Sequence, residues 1–209
     1  MPIAKETGDR PAINRRGLLY AATAAVGIAG IAAAAWPLLD QMNPDARVRA
    51  AGDIVGVDLG GLEPAERRVL RWKNYPIFVV RRTAAMLKAM QETSFVATLV
   101  DPDSAKRQQP AYARNWHRSL DPAYAVLVGV CTACSCVPEY FAEASAINVA
   151  GGYICPCCAS HYDPAGRAYS GPAQFNLPVP PYASAGASKI LLGKNATDEM
   201  YSLETIERM

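Results

Sequence analysis

The chain has 209 residues, a formal net charge of +2 and a hydrophobic content of 51%. Charge so near zero gives no reason to expect nucleic acid or a strongly acidic partner. The length allows one or two domains.

The hydrophobic excess is local. Residues 17–39, GLLYAATAAVGIAGIAAAAWPLL, carry no charge. At about 1.5 Å per residue a helix of this length crosses a bilayer core of about 30 Å. Lys5, Arg10, Arg15 and Arg16 precede it, and Asp40 and Asp45 follow it before any arginine. Positive charge stays inside, so the rest of the chain is expected outside the cytoplasm. Arg15-Arg16 directly before an apolar run has the form of a twin-arginine export signal. No A-x-A-like cleavage site ends the run, which favours a retained anchor. The expected organisation is a cytoplasmic segment over 1–16, a transmembrane anchor over 17–39, a flexible tether over 40–52 and an external domain over 53–209.

From Asp53 the pattern is that of strands. Ile54, Val57 and Leu59 run into Gly60-Gly61; Val69, Leu70 and Trp72 follow; residues 75–82, YPIFVVRR, give the clearest strand. Thr83 is placed to cap a short helix whose core-facing stripe is Met86, Leu87 and Met90. Residues 101–114 read as loop. His117, one of two histidines, fits a hydrogen-bonded structural role. Residues 124–130, YAVLVGV, form a buried strand, and Tyr153-Ile154 a shorter one after a Gly151-Gly152 turn. The proline-rich stretch 171–182 reads as rigid loop, Lys189 to Leu192 as a closing strand, and Thr197 to Met209 as a helix or surface tail.

All six cysteines fall in two short clusters, C-T-A-C-S-C from Cys131 and C-P-C-C-A-S from Cys155. Each holds a C-x-x-C pair, Cys131 with Cys134 and Cys155 with Cys158. Two such turns aim four sulfurs at one point, which is the requirement of a four-thiolate metal site. Cys136 and Cys157 are left over, one per cluster, and could pair as a disulfide, which the outside location permits. Unrelated free thiols scatter through a chain rather than crowd into two loops.

Both clusters begin where a strand ends, and their surroundings carry a wider pattern: the twin-arginine segment, the anchor, YPIFVVRR, CTACSC, CPCCASHYD, DPAGR and NLPVPPY. This layout resembles the Rieske iron–sulfur subunit of ubiquinol–cytochrome c reductase, the cytochrome bc complex of bacteria. The resemblance implies a mainly β fold: a Rieske-type antiparallel β domain with a small cluster-binding subdomain over about 124–181, preceded by one N-terminal transmembrane helix. It implies a 2Fe–2S cluster and transfer of an electron from ubiquinol at cytochrome b to cytochrome c1. The head would lie in the periplasm on the bacterial inner membrane, within a dimeric complex, and would dock through exposed loop tips including Thr132 and Ala133.

The departures fall on the ligands. The family motifs are C-T-H-L-G-C and C-P-C-H-G-S-x-Y-D, one cysteine and one histidine from each loop binding the cluster. Cys131 and Cys155 match those cysteines. Ala133 sits at the first histidine position and Cys158 at the second, while Cys134 replaces a leucine. By resemblance Cys136 and Cys157 form the inter-loop disulfide, and Ser160 and Tyr162 are the hydroxyl donors that tune the cluster. Ser135 and Ala159 replace glycines in turns expected to need positive φ. The expected metal ligands are thus Cys131, Cys134, Cys155 and Cys158, with His161 weighed as a replacement imidazole. Three readings stay open: a reductase subunit with an altered cluster; a structural zinc or single-iron tetrathiolate on the same scaffold; and an assembly subunit with no metal. No other catalytic constellation is visible.

Overall fold

The computed structural model describes residues 14–41, 54–145, 150–186, 188–197 and 200–207. The chain divides into two compact units, Met1–Arg49 and Ala50–Met209. The expected tether over 40–52 lies almost wholly outside the described residues, as do residues 1–13.

In the first unit, helix α1 spans Arg15–Gln41. Asn14 begins it, its Oδ1 accepting from the Gly17 amide at 2.8 Å and so satisfying one of the free N–H groups of the first turn. The helix is long and apolar enough to cross a membrane, and its central stretch buries nothing within the chain.

The second unit is built from three antiparallel sheets. Strands β1 (Val55–Asp58), β10 (Lys189–Leu192) and β9 (Tyr182–Ser184) form the first, in that order. Strands β2 (Arg67–Trp72), β3 (Tyr75–Arg81) and β4 (Tyr124–Val128) form the second. Strands β5 (Glu139–Phe141), β6 (Gly152–Ile154), β7 (His161–Tyr162) and β8 (Ala168–Ser170) form the third. Two short helices, α2 (Ala84–Ala89) and α3 (Thr93–Val96), follow β3. Thr83 caps α2, its side chain accepting from the Met86 amide.

The core explains why residues 77–80 are so apolar. Strand β3 is the middle strand of its sheet, and Ile77, Phe78, Val79 and Val80 are all buried, so both of its faces are covered. The Phe78 ring stacks on Tyr153 of β6 at 5.6 Å, tying the second sheet to the third. Gly152 makes β6 and β7 fit: a Cβ there would meet the Tyr162 carbonyl oxygen at 2.3 Å, and its φ is 109°.

After β7 the chain turns on a buried ion pair. Asp163 Oδ2 lies 2.7 Å from Arg167 Nη2, with both side chains almost wholly buried. Asp163 Oδ1 accepts from the amides of Ala165 and Arg167, and Arg167 Nη2 also donates to the Met90 carbonyl. Every lone pair that burial strips of water is thus re-satisfied.

The carboxyl end differs from expectation. No helix forms among described residues 200–207, and the segment is not a free surface tail. Tyr201 and Leu203 are buried, and Tyr201 donates to the Val179 carbonyl at 2.9 Å.

Candidate metal centre

Two loops build the site. One, 131–136, leaves the end of β4; the other, 155–160, is the turn between β6 and β7. They have the same backbone construction. The Ser135 amide donates to the Cys131 carbonyl at 2.8 Å and the Cys131 amide to the Cys136 carbonyl at 2.8 Å; the Ala159 amide donates to the Cys155 carbonyl at 2.9 Å and the Cys155 amide to the Ser160 carbonyl at 2.8 Å. Ser135 and Ala159 hold φ of 60° and 53°. These are the left-handed turns expected where glycine would be easiest, here occupied by residues with a Cβ.

This construction brings four thiols together. Their sulfurs all lie within 4.8 Å of one another. Cys134 Sγ is 3.3 Å from Cys155 Sγ and 3.2 Å from Cys158 Sγ, and Cys131 Sγ is 3.6 Å from Cys158 Sγ. Cys131 and Cys155 are buried, Cys158 is half-buried and Cys134 is exposed. Cys136 and Cys157 form a disulfide that joins the loops across 21 residues of sequence.

Hydroxyl groups reach two of the sulfurs. Ser160 Oγ lies 3.1 Å from Cys158 Sγ and accepts from the Ala173 amide at 3.2 Å. The Tyr162 hydroxyl lies 3.3 Å from Cys131 Sγ and also accepts from the Thr132 amide at 3.2 Å. Burial pushes the Tyr162 phenol well above its ordinary range, so it stays a donor.

The thiols share charge unequally. Burial opposes ionisation of Cys158, but hydrogen bonds from Ser160 and Cys134 outweigh it and bring the thiol down to about 6. Burial, together with the Cys134 hydrogen bond, pushes Cys155 up to about 12. One negative charge thus settles readily at the outer side of the group, and a divalent cation would stabilise the rest.

Thr132 departs from expectation. It is not an exposed tip but 3% exposed. Its Oγ1 donates to the Phe175 carbonyl at 2.8 Å and lies 3.1 Å from the Tyr162 hydroxyl. The exposed residues of that loop are Cys134 and Ser135, with Ala133 partly covered. The Phe175 carbonyl and the Ala173 amide are structural partners of the site that the sequence did not single out, and Thr132 joins them in place of the docking role expected of it. The proline-rich stretch brings the Phe175 carbonyl from 43 residues beyond Thr132 and the Ala173 amide from 13 residues beyond Ser160.

The histidines stand elsewhere. His117 Nδ1 pairs with Ser119 Oγ at 2.8 Å, the structural role expected. His161 alternates with Ser160 and Tyr162 along the chain. Its Nδ1 lies 3.4 Å from the Tyr169 hydroxyl and its ring packs edge-on against Tyr169. Among the described residues, the groupings that could hold a metal contain only cysteine. A cluster with two imidazole ligands therefore does not fit the residues present.

Comparison with known proteins fixes the family. Residues 5–45 match the family model described as "Ubiquitinol-cytochrome C reductase Fe-S subunit TAT signal". The ubiquinol-cytochrome c reductase iron-sulfur subunit of Allochromatium vinosum is 39% identical over 186 residues, covering 87% of this chain and 89% of the relative. That of Blastochloris viridis is 39% identical, covering 90% and 97%, and that of Cereibacter sphaeroides 40% identical, covering 80% and 88%. A chain of a solved hyperthermophilic respiratory Complex III aligns with a TM-score of 0.45 at 21% identity, over 82% of this chain and 98% of that one. On the curated relatives' identity and near-complete coverage, the chain belongs to the family of ubiquinol–cytochrome c reductase iron–sulfur subunits.

Proposed function

We propose that this chain occupies the iron–sulfur subunit's place in a bacterial ubiquinol–cytochrome c reductase but does not support normal ubiquinol oxidation. Helix α1 anchors it in the inner membrane, residues 40–52 tether it, and the head lies in the periplasm between cytochrome b and cytochrome c1 of a dimeric complex. Residues 124–181 form the subdomain that carries the metal centre. Cys131, Cys134, Cys155 and Cys158 are the ligands. Cys136–Cys157 staples the two loops, and Ser160 and Tyr162 steady two of the sulfurs.

The observation that carries the functional half of this reading is the donor set: four thiols within 4.8 Å of one another. Quinol oxidation in the family, by the resemblance, needs an imidazole ligand to take the quinol proton. Ala133 and Cys158 stand at those two positions. Neutral imidazoles also keep a cluster's potential at about −150 to +300 mV, against about −400 mV for thiolate-only plant-type clusters. A drop of about half a volt opposes the first electron by on the order of 10 kcal/mol. A thiolate-only centre is therefore a poor acceptor for a quinol electron, and the role left to the chain is that of a folded, metal-stapled subunit of the assembly.

The assembly half is tested by expressing the tagged full chain in a bacterium deleted for its own iron–sulfur subunit. Co-purification with cytochrome b and cytochrome c1 from detergent-solubilised membranes is the expected result. Recovery of the chain alone would remove the assignment.

A further inference from the structure

We infer that the four cysteines form a mononuclear site, holding one tetrahedral thiophilic ion, zinc or iron, in place of a two-iron cluster. The inference rests on the ligand set proposed above and adds what that set encloses.

Sulfur spacing decides the nuclearity. A tetrahedral ion with metal–sulfur bonds of about 2.3 Å spaces its thiolates about 3.8 Å apart. A two-iron cluster held by four thiolates divides them two to each iron. Sulfurs on opposite irons then stand more than about 5 Å apart, the iron–iron separation plus the projections of two iron–sulfur bonds. Here no pair exceeds 4.8 Å. Nor do the sulfurs separate into two pairs: the split into Cys131 with Cys158 and Cys134 with Cys155 leaves Cys134 and Cys158 only 3.2 Å apart. Cys134 approaches both Cys155 and Cys158, at 3.3 and 3.2 Å, while Cys131 approaches Cys158 at 3.6 Å. Every loop-one sulfur has a close loop-two neighbour, as the corners of one tetrahedron do.

The backbone gives independent support. The two loops repeat one construction: C-x-x-C, then a residue at φ of 60° or 53° whose amide returns to the carbonyl of the first cysteine. Two such turns face each other and each contributes two sulfurs to a common point, the arrangement that closed four-cysteine sites use. Substitution of both imidazole positions accounts for the change. With Ala133 unable to ligate, the first loop's second donor moves one residue on, to Cys134. Cys134 Sγ then sits among the other three sulfurs rather than on the far side of a second metal. His161, held against Tyr169 at 3.4 Å, is not a competing donor. Both S4 zinc and S4 iron suit this geometry, and loading releases the thiol protons.

The test uses the full chain in detergent. Metal and acid-labile sulfide are measured per chain as isolated, and metal-stripped protein with its disulfide intact is titrated with Co(II). The expected result is one zinc or iron per chain, no labile sulfide, and a one-to-one Co(II) titration with the intense visible bands of a tetrahedral four-thiolate complex. Cys134→Ser, at an exposed position, is expected to shift those bands to the three-thiolate pattern and weaken Co(II) binding more than about 100-fold, while the far-UV circular dichroism is unchanged. Two irons with two labile sulfides per chain, or no Co(II) bound by the unmutated protein, would overturn the inference. Failure here and failure of the subunit assignment are separable, because metal and sulfide are measured on the full chain purified free of the cytochromes, whose haem iron would enter the count, while co-purification with cytochrome b and cytochrome c1 is scored separately in the deletion strain.

Discussion

Ser135 and Ala159 are equivalent residues of two matching turns, each in the left-handed region and each returning its amide to the cysteine carbonyl four residues earlier. A Cβ in that region is strained, and both residues are exposed, so a glycine removes strain without opening a cavity. Ser135→Gly and Ala159→Gly are each expected to raise stability by about 0.5–1 kcal/mol, net of the added freedom of the unfolded chain. Urea midpoints of the single and double variants check this, and the effects should add.

Tyr162 ties strand β7 to the first loop through one hydroxyl. It serves Cys131 Sγ, the Thr132 amide and Thr132 Oγ1. Tyr162→Phe leaves the buried Thr132 amide without its acceptor, which costs about 1–3 kcal/mol. The accompanying signature is faster hydrogen exchange at Thr132, which a general loss of packing would not confine to that loop.

The Asp163–Arg167 pair closes the turn that follows the second loop. Asp163→Asn leaves the Arg167 charge buried with a weakened partner, and a loss of about 3–5 kcal/mol is expected. Chemical denaturation measures it. Replacement of both partners by apolar residues of similar volume should cost less than the single change.

Reduction of Cys136–Cys157, or its replacement by serines, releases a loop of 21 residues and is expected to cost about 3 kcal/mol. Because the bridge joins the same two loops that carry the four thiols, metal affinity should fall with it. A titration with Co(II) before and after reduction reads that coupling.

His117 supplies a pH dependence. Burial, with the nearby Arg82, holds its imidazole below the ordinary range. The folded state therefore binds the proton less readily than the unfolded chain. Stability is full above the unfolded value of about 6.5 and is lost as pH falls through it. Urea midpoints at pH 7.5 and pH 5 should differ more for the native chain than for His117→Gln.

Much of the head was legible because its signals are local. The run 77–80 is apolar on both faces because β3 is a middle strand, and a short β-branched run says as much. The cysteine clusters announce themselves by spacing, and Thr83 announces a cap. What was hidden depends on distant chain. Thr132 reads as an exposed tip because its partner, the Phe175 carbonyl, is 43 residues away. Tyr201 sits in a polar stretch, and only the Val179 carbonyl, 22 residues back, explains why it is buried. The distances among the four sulfurs, which set how many metal ions fit, follow from how β4 and the β6–β7 turn face each other, and no local pattern encodes that.

The most direct measurement is ubiquinol–cytochrome c reductase turnover in complexes assembled with this chain as the only iron–sulfur subunit. A donor set without imidazole predicts no quinol-dependent cytochrome c reduction above the background of complexes lacking the subunit, although the chain is present in them. Turnover at the rate of a complex carrying a two-histidine subunit would contradict the account.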